Sequence, residues 1–173
     1  MITCAIVGAT GLVGQTFLKV LEENKLDNIS YTLLASKKSK GKKIMFMNKE
    51  HIVEELTKNS FDNNRFDYAL FSAGSKTSEI FAPIAAQNGT IVIDNSSQFR
   101  MDTNVPLIVP EVNKEKIFEH RNIIANPNCS TIQAVVALKP LQDKYGIKRI
   151  IYSTYQAVSR CWSKRYRRFR KHI

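Results

Sequence analysis

Seven glycines, five prolines, three cysteines and one tryptophan in 173 residues rule out several architectures before any motif is read. So little Gly and Pro excludes a collagen-like or low-complexity chain. Cys4, Cys129 and Cys161 are odd in number, far apart and without a C-x-x-C pair, so neither a disulfide framework nor a metal site is expected. Nowhere do about 18 apolar residues run together, and the first residues lack a charged stretch followed by an apolar one. The expectation is no membrane span, no secretory leader and a reducing, cytoplasmic setting. Acidic residues are missing from one region in particular. Residues 160–173 carry seven Lys or Arg and no acid, which leaves the first 159 residues with 19 basic and 15 acidic side chains, a balance of +4 against +11 for the whole. The charge that invites a nucleic-acid reading therefore belongs to the tail, and the body is mildly basic.

With 43% hydrophobic side chains the chain can bury one substantial core, holding one domain and part of another. Apolar runs of strand character alternate with segments of helical period, a pattern of α/β architecture with a largely parallel sheet. The spacing predicts strand 2–7, helix 12–24, strand 31–35, short strands near 43–47 and 52–55, strand 67–72 and a helix near 76–87. Strand 90–93, a loop with Asn95-Ser96-Ser97, a short helix after Asn113, strand 122–125, helix 130–143 and strand 148–154 follow. Pro83 falls inside the second helical pattern and predicts a kink there or a first-turn position.

Gly8, Gly11 and Gly14 form a G-x-x-G-x-x-G run that directly follows the first strand and opens a helix. Glycines in that context permit a tight turn, and backbone N–H groups at a helix N-terminus can approach a pyrophosphate, the device of a Rossmann-like doubly wound sheet. Thr10 and Val13 lie along the same surface. Where an NAD-preferring site carries an acid at the end of the second strand, this chain reads Ala35-Ser36-Lys37-Lys38-Ser39. Ammonium and hydroxyl groups attract a 2′-phosphate that a carboxylate would repel, so NADP is the expected cofactor. Asn126-Pro127-Asn128-Cys129-Ser130-Thr131 sets one thiol behind a turn and ahead of an apolar helical stretch expected to start at Ser130. The positive end of a helix favours thiolate, which makes Cys129 a candidate nucleophile for aldehyde oxidation through a thioester. Cys4, inside the first strand, reads as a small core hydrophobe.

These pieces taken in order resemble the amino-terminal half of bacterial aspartate-semialdehyde dehydrogenases over residues 1–159. The matching stretches are Gly8–Gly14, Phe71-Ser72-Ala73-Gly74, Asp94 to Met101, Val109 to Asn113, Asn126 to Gln133 and Tyr155 to Ser159. The resemblance implies an NADP-binding domain over 1–127, the start of an α+β substrate and dimerisation domain over 128–159, and an aberrant tail over 160–173. It implies reductive dephosphorylation of 4-phospho-L-aspartate to L-aspartate 4-semialdehyde, a step toward lysine, threonine, methionine and diaminopimelate. By the same resemblance Cys129 carries the acyl thioester, Asn128 holds the reacting oxygen and Gln156 orients the substrate. Arg100 and Asn95 bind its phosphate. Gly8, Thr10, Gly11, Leu12, Val13, Gly14, Ser36, Lys38, Ser39, Ser72, Ala73, Gly74 and Ser159 hold the cofactor. Where the family commonly has Arg, Lys38 offers a point charge in place of a bidentate fork. Homodimers or homotetramers are implied for the family and are in doubt for this chain; neither nucleic acid nor membrane is expected as a partner.

After Ser159 the family continues Gly-Ala-Gly and then acidic, whereas this chain reads Arg160-Cys161-Trp162. A-rich synonymous codons for 160–173, read one nucleotide later, permit a Gly-Ala-Gly opening and an acidic continuation, so the tail is expected to be an out-of-frame product. His51, His120 and His172 are expected at the surface, leaving the family's His acid–base group and carboxylate-binding Arg without a counterpart, and little or no turnover is expected. Val135, Val136, Leu138 and Ile151 are expected to lack full apolar partners. Three other readings stay open: an N-acetyl-glutamyl-phosphate reductase type of enzyme, a non-catalytic NADP-binding fragment, and a tail that binds nucleic acid through its cations with Trp162, Tyr166 and Phe169.

Overall fold

The computed structural model describes residues 1–155. Among the described residues six strands form one sheet in which each paired neighbour runs parallel: β1 (Ile2–Val7), β2 (Ile29–Ala35), β5 (Glu54–Glu55), β6 (Tyr68–Phe71), β7 (Ile91–Asp94) and β8 (Ile123–Ala125). Their spatial order is β5-β2-β1-β6-β7-β8, so the chain winds one way from β1 through β2 and the other way from β6 through β8. The expected doubly wound α/β sheet is what the residues build.

Alternation along β1 explains the two covering layers. Cys4 and Ile6 face one side, with Tyr31, Leu33 and Leu18 of helix α1 (Leu12–Glu23). Ala5 and Val7 face the other, with Leu34, Ala69, Phe71 and the Ala82 and Ala85 of helix α2 (Ser75–Gln87). Period 2 in the strand thus meets period 3.6 in each helix. On α2 the buried positions are Ser78, Ala82 and Ala85, small side chains that let the helix lie close to the sheet. Pro83 sits within α2, which continues through it to Gln87, so the first-turn position is excluded.

The short strands near 43–47 and 52–55 resolve into three pieces. β3 (Lys43–Phe46) and β4 (Lys49–Ile52) make an antiparallel hairpin, and Glu54–Glu55 alone joins the main sheet beside β2. The hairpin turns on Met47 and Asn48, both with positive φ (52° and 57°). Glu22 of α1 holds it by accepting the Met47 N–H at 2.6 Å. Helix α3 (Pro110–Asn113) runs into a 3-10 segment, Lys114–Glu119. Helix α4 begins at Cys129, one residue earlier than expected, and extends to Tyr145.

Met1–Pro140 form one compact unit, and a second begins at Leu141. Within the second, α4 ends where Gly146 takes φ +68° and donates to Gln142 O at 3.0 Å, while Gln142 Oε1 accepts the Ile147 N–H at 2.8 Å. The strand expected over 148–154 does not form: residues 147–155 carry no regular structure, and Ile151 is 78% exposed. Branched and aromatic side chains favour a strand only when a neighbour completes its ladder, and none of the described strands pairs with this stretch. Val135, Val136 and Leu138 are half-buried, none fully, as expected for that helix.

Candidate functional site

A parallel sheet brings every strand to an end at the same edge, and ligands of such sheets bind where the winding reverses. Here the reversal lies between β1 and β6. The Gly8 N–H donates to Leu34 O at 2.8 Å and that of Gly11 to Gly8 O at 2.9 Å, curling the loop over the end of β2. Ser72 closes it from the other side, its N–H and hydroxyl both donating to Val7 O, at 2.9 and 3.1 Å. Gly8 has φ +88°, and a Cβ there would stand 3.0 Å from Ala73 N. A Cβ on Gly14 would overlap Gly8 O. The loop therefore needs glycine at both places, and its bare backbone is the cradle a dinucleotide pyrophosphate requires.

A cleft of about 480 Å³ opens at this point, lined by Gly8, Thr10, Gly11, Ala35, Ser36, Leu56, Ser72, Ala73, Thr77 and Phe81. Six of the expected cofactor residues line it: Gly8, Thr10, Gly11, Ser36, Ser72 and Ala73. Leu12 and Val13 are exposed on the first turn of α1, and Gly14 is buried beneath the loop. Gly74, at φ +90°, caps α2. Ser39 is buried and accepts a hydrogen bond from Thr10 Oγ1 at 3.1 Å, so it braces the loop; Lys38 beside it is exposed. Thr77 and Phe81 were not foreseen as lining residues, although their i, i+4 spacing after Gly74 puts them on one face of α2. Leu56 left no signal, because the two-residue strand it follows, Glu54–Glu55, is too short to show alternation.

The thiol sits two strands away along the same edge. Asn128 caps α4, its Oδ1 accepting the Ser130 N–H and its carbonyl the Ile132 N–H, both at 2.9 Å. Cys129 is thereby the first helical residue, half-buried, with Sγ 3.9 Å from Ser130 Oγ. Arg100 reaches across from the loop after β7: Nε donates to Asn126 O at 2.9 Å and Nη2 to Asn95 O at 3.0 Å. Asn126 Nδ2 completes the join by donating to Asn95 Oδ1 at 2.7 Å. So the loop bearing Asn95 and Arg100 is bonded at Asn126 to the turn that leads into Asn128 and Cys129, while Gln156 and Ser159 lie outside the described residues.

Other chemistry-bearing groups sit elsewhere. Burial pushes the Cys4 thiol up to about 12, in keeping with a core role. His51 and His120 depart from the surface placement expected of them. The His51 ring packs 5.5 Å from Phe46 with Nε2 enclosed and unbonded, and His120 Nδ1 accepts the Asn122 N–H at 2.9 Å. Both are half-buried toward the amino-terminal edge, since each lies beside residues that begin strands. His172 and the basic tail lie outside the described residues. A larger hollow of about 810 Å³ also opens at that edge, between Glu22, Ile29, Tyr31, Met47 and His51, and holds none of the expected site residues. Among the described residues no group of acidic, His and Cys side chains is arranged for a metal, and no helix is long and apolar enough to cross a membrane.

The family model described as "Semialdehyde dehydrogenase, NAD binding domain" matches residues 3–120. Over 158 residues the chain is 60% identical to aspartate-semialdehyde dehydrogenase of Aquifex aeolicus, covering 90% of this chain and 46% of that protein. Over 155 residues it is 54% identical to the Bacillus subtilis enzyme, covering 90% and 44%. Aspartate semialdehyde dehydrogenase II of Vibrio cholerae complexed with ASA superimposes with a TM-score of 0.85 at 53% identity, covering 91% of this chain and 51% of that one. The Candida albicans enzyme with NADP gives 0.73 at 27% identity, covering 85% and 48%. The chain spans about half the length of the curated relatives it matches.

Proposed function

We propose, for a chain that belongs to the semialdehyde dehydrogenase family through its NAD-binding domain, the chemistry of an NADP-dependent, phosphorylating aspartate-semialdehyde dehydrogenase. The observation that carries the reading is the Asn128 cap of α4, which makes Cys129 the first residue of a helix, together with Arg100 of the neighbouring loop, which is hydrogen-bonded to Asn126 in the turn that leads into it. In the oxidative direction Cys129 Sγ attacks the aldehyde carbon and forms a C–S bond, leaving negative charge on oxygen. The Asn128 cap uses Oδ1 and leaves its amide N–H groups for that oxygen, a contribution of about 3–4 kcal/mol when such a donor is preorganised. A bound nicotinamide dinucleotide supplies the hydride acceptor in this direction and the donor in the other. Inorganic phosphate then attacks the thioester carbon, the C–S bond breaks and the acyl phosphate leaves. Arg100 and Asn95 receive the phosphate. In biosynthesis the sequence runs backward, from 4-phospho-L-aspartate to the semialdehyde.

The glycine cradle fits a dinucleotide, and Ser36 and Lys38 offer hydroxyl and ammonium groups toward a 2′-phosphate without an opposing acid on that loop, while the buried Ser39 braces Thr10 behind them. For the chain as it stands we propose little or no turnover. Neither His51 nor His120 is at the edge where Sγ lies, and removing a general acid–base group costs about 10²–10⁴ in rate. The test is a titration of this chain with NADPH and NADH, together with mass mapping of iodoacetamide adducts and an assay with aspartate semialdehyde, phosphate and NADP. Tighter NADPH, a preference lost in Lys38→Glu, and labelling at Cys129 that aspartate semialdehyde suppresses support the reading. Equal affinity for the two cofactors refutes the NADP assignment, and an unreactive Cys129 refutes the thioester.

A further inference from the structure

We propose that Asp94, the wholly buried carboxylate that ends β7, is a positioning residue that locks the loop bearing Asn95 and Arg100 against the loop that presents Cys129. The proposal rests on the reading above, in which Arg100 receives the substrate phosphate. A carboxylate is costly to bury unless its oxygens are filled by donors, and Asp94 is 0% exposed. Its Oδ1 accepts the Ser78 hydroxyl at 2.7 Å and the Ser96 N–H at 3.0 Å, and its Oδ2 accepts the Ser96 hydroxyl at 2.6 Å. Ser96 Oγ in turn accepts the Gln98 N–H at 3.1 Å.

The Ser78 bond would be enough to pin α2 to the sheet. The bonds to Ser96 do something different: they turn the chain back on itself directly after the strand. That turn aims the Asn95 carbonyl at Arg100 Nη2, 3.0 Å away, and its Oδ1 at Asn126 Nδ2, 2.7 Å away. The main chain of Asp94 joins the same assembly, its carbonyl accepting the Asn126 N–H at 2.8 Å. One acid therefore organises both loops from beneath without touching the reacting atoms.

The experiment uses the whole chain and three variants, Ser96→Ala, Ser78→Ala and Asp94→Asn. One readout is hydrogen exchange of the Arg100 Nε–H by NMR, its signal assigned from its loss in Arg100→Lys. The other is the concentration of inorganic phosphate that half-protects Cys129 from iodoacetamide. Ser96→Ala and Asp94→Asn are expected to speed the Arg100 exchange and to raise the protecting phosphate concentration about tenfold, the effect of one displaced hydrogen-bonded group, with NADPH affinity unchanged. Ser78→Ala is expected to lower the melting temperature and leave both readouts at wild type. If Ser96→Ala matches wild type at Arg100 and in phosphate protection, or if Ser78→Ala reproduces its effects, the positioning role is overturned. Absence of phosphate protection in the wild-type chain overturns the phosphate-binding role of Arg100 and this proposal with it.

Discussion

Gly14→Ala sets two ordinary tendencies against each other and the structure decides between them. In an exposed helix interior the change stabilises, because alanine is the better helix former by about 1 kcal/mol. Gly14 is buried in the first turn of α1, and the new Cβ would overlap Gly8 O and stand 2.8 Å from both Ala9 Cα and Gly8 C. All three are backbone atoms, so no side-chain rotation relieves the contact. Overpacking a tight site costs about 1–3 kcal/mol, and with backbone on both sides the upper end applies. After the helix gain is subtracted, a net loss of about 1–2 kcal/mol remains. For a chain of this size each kcal/mol lowers the melting temperature by about 2–4 °C. The relief must come from moving the Gly8–Gly11 turn, the segment that lines the cleft, so NADPH affinity should fall with stability, by at least about tenfold if the loop moves by about 1 Å. Gly41→Ala is the matched control. It has an unfavourable φ of +79°, which Gly14 in its helix does not, and nothing within 4 Å, so it should cost stability through the backbone alone and spare binding. Thermal melts and cofactor titrations of both variants make the test. Gly14→Ala with unchanged melting temperature and affinity would show that the close packing of loop on helix is not what shapes the cradle.

Three further outcomes are expected. Glu22→Ala should loosen the β3–β4 hairpin, since Oε1 accepts the Met47 N–H at 2.6 Å while Met47 is held at φ +52°. The loss is about 1 kcal/mol, with faster hydrogen exchange at the Met47 amide; unchanged exchange there would sink the assignment. The backbone N–H and hydroxyl of Thr3 hold the Asp67 carboxyl below its usual range. A depressed folded value stabilises above the unfolded value of about 3.9 and is lost as pH falls through the folded one. Asp67→Asn should therefore be less stable than wild type at neutral pH and converge with it in acid, as read by urea midpoints, and a gap that widens below about pH 4 contradicts the sign. In the native chain at about pH 8, iodoacetamide should modify Cys129 and spare Cys4, whose thiol is 5% exposed and pushed up to about 12, until denaturant is added. Equal native rates at the two positions would contradict the burial argument.

What the residues disclosed in advance was local and periodic. The strand–glycine–helix passage from Ile2 to Glu23 is contiguous, and each part answers to a rule of spacing. Helix α2 was legible for the same reason, with its buried Ser78, Ala82 and Ala85 at helical intervals. The strand expected over 148–154 failed because branched and aromatic side chains report a propensity, whereas a strand is a relation between two segments. The two-residue β5 and the Met47–Asn48 turn had no glycine or alternation to announce them. Ser39 is a cofactor position only by the family resemblance, and the structure turns it inward onto Thr10.

Long-range hydrogen bonding was the least visible of all, and the topology explains why. In a doubly wound sheet each strand runs toward the same edge, so loops far apart in sequence become neighbours through strand order alone. β7 pairs with β8 from Val92↔Ile123 to Asp94↔Ala125. That register sets the residues after Asp94 beside those after Ala125, which is how Arg100 meets Asn126, 26 positions on, and why Asn95 faces the turn that leads into Cys129. A motif reading finds the loops one at a time and can name the thiol, the arginine and the glycines. It cannot find Asp94, because a buried acid between an apolar strand and a serine pair looks like any strand terminus until the serines are seen to fill its oxygens. The groups that perform chemistry are thus legible by residue type, while those that hold them in register become legible only once the strand order is known.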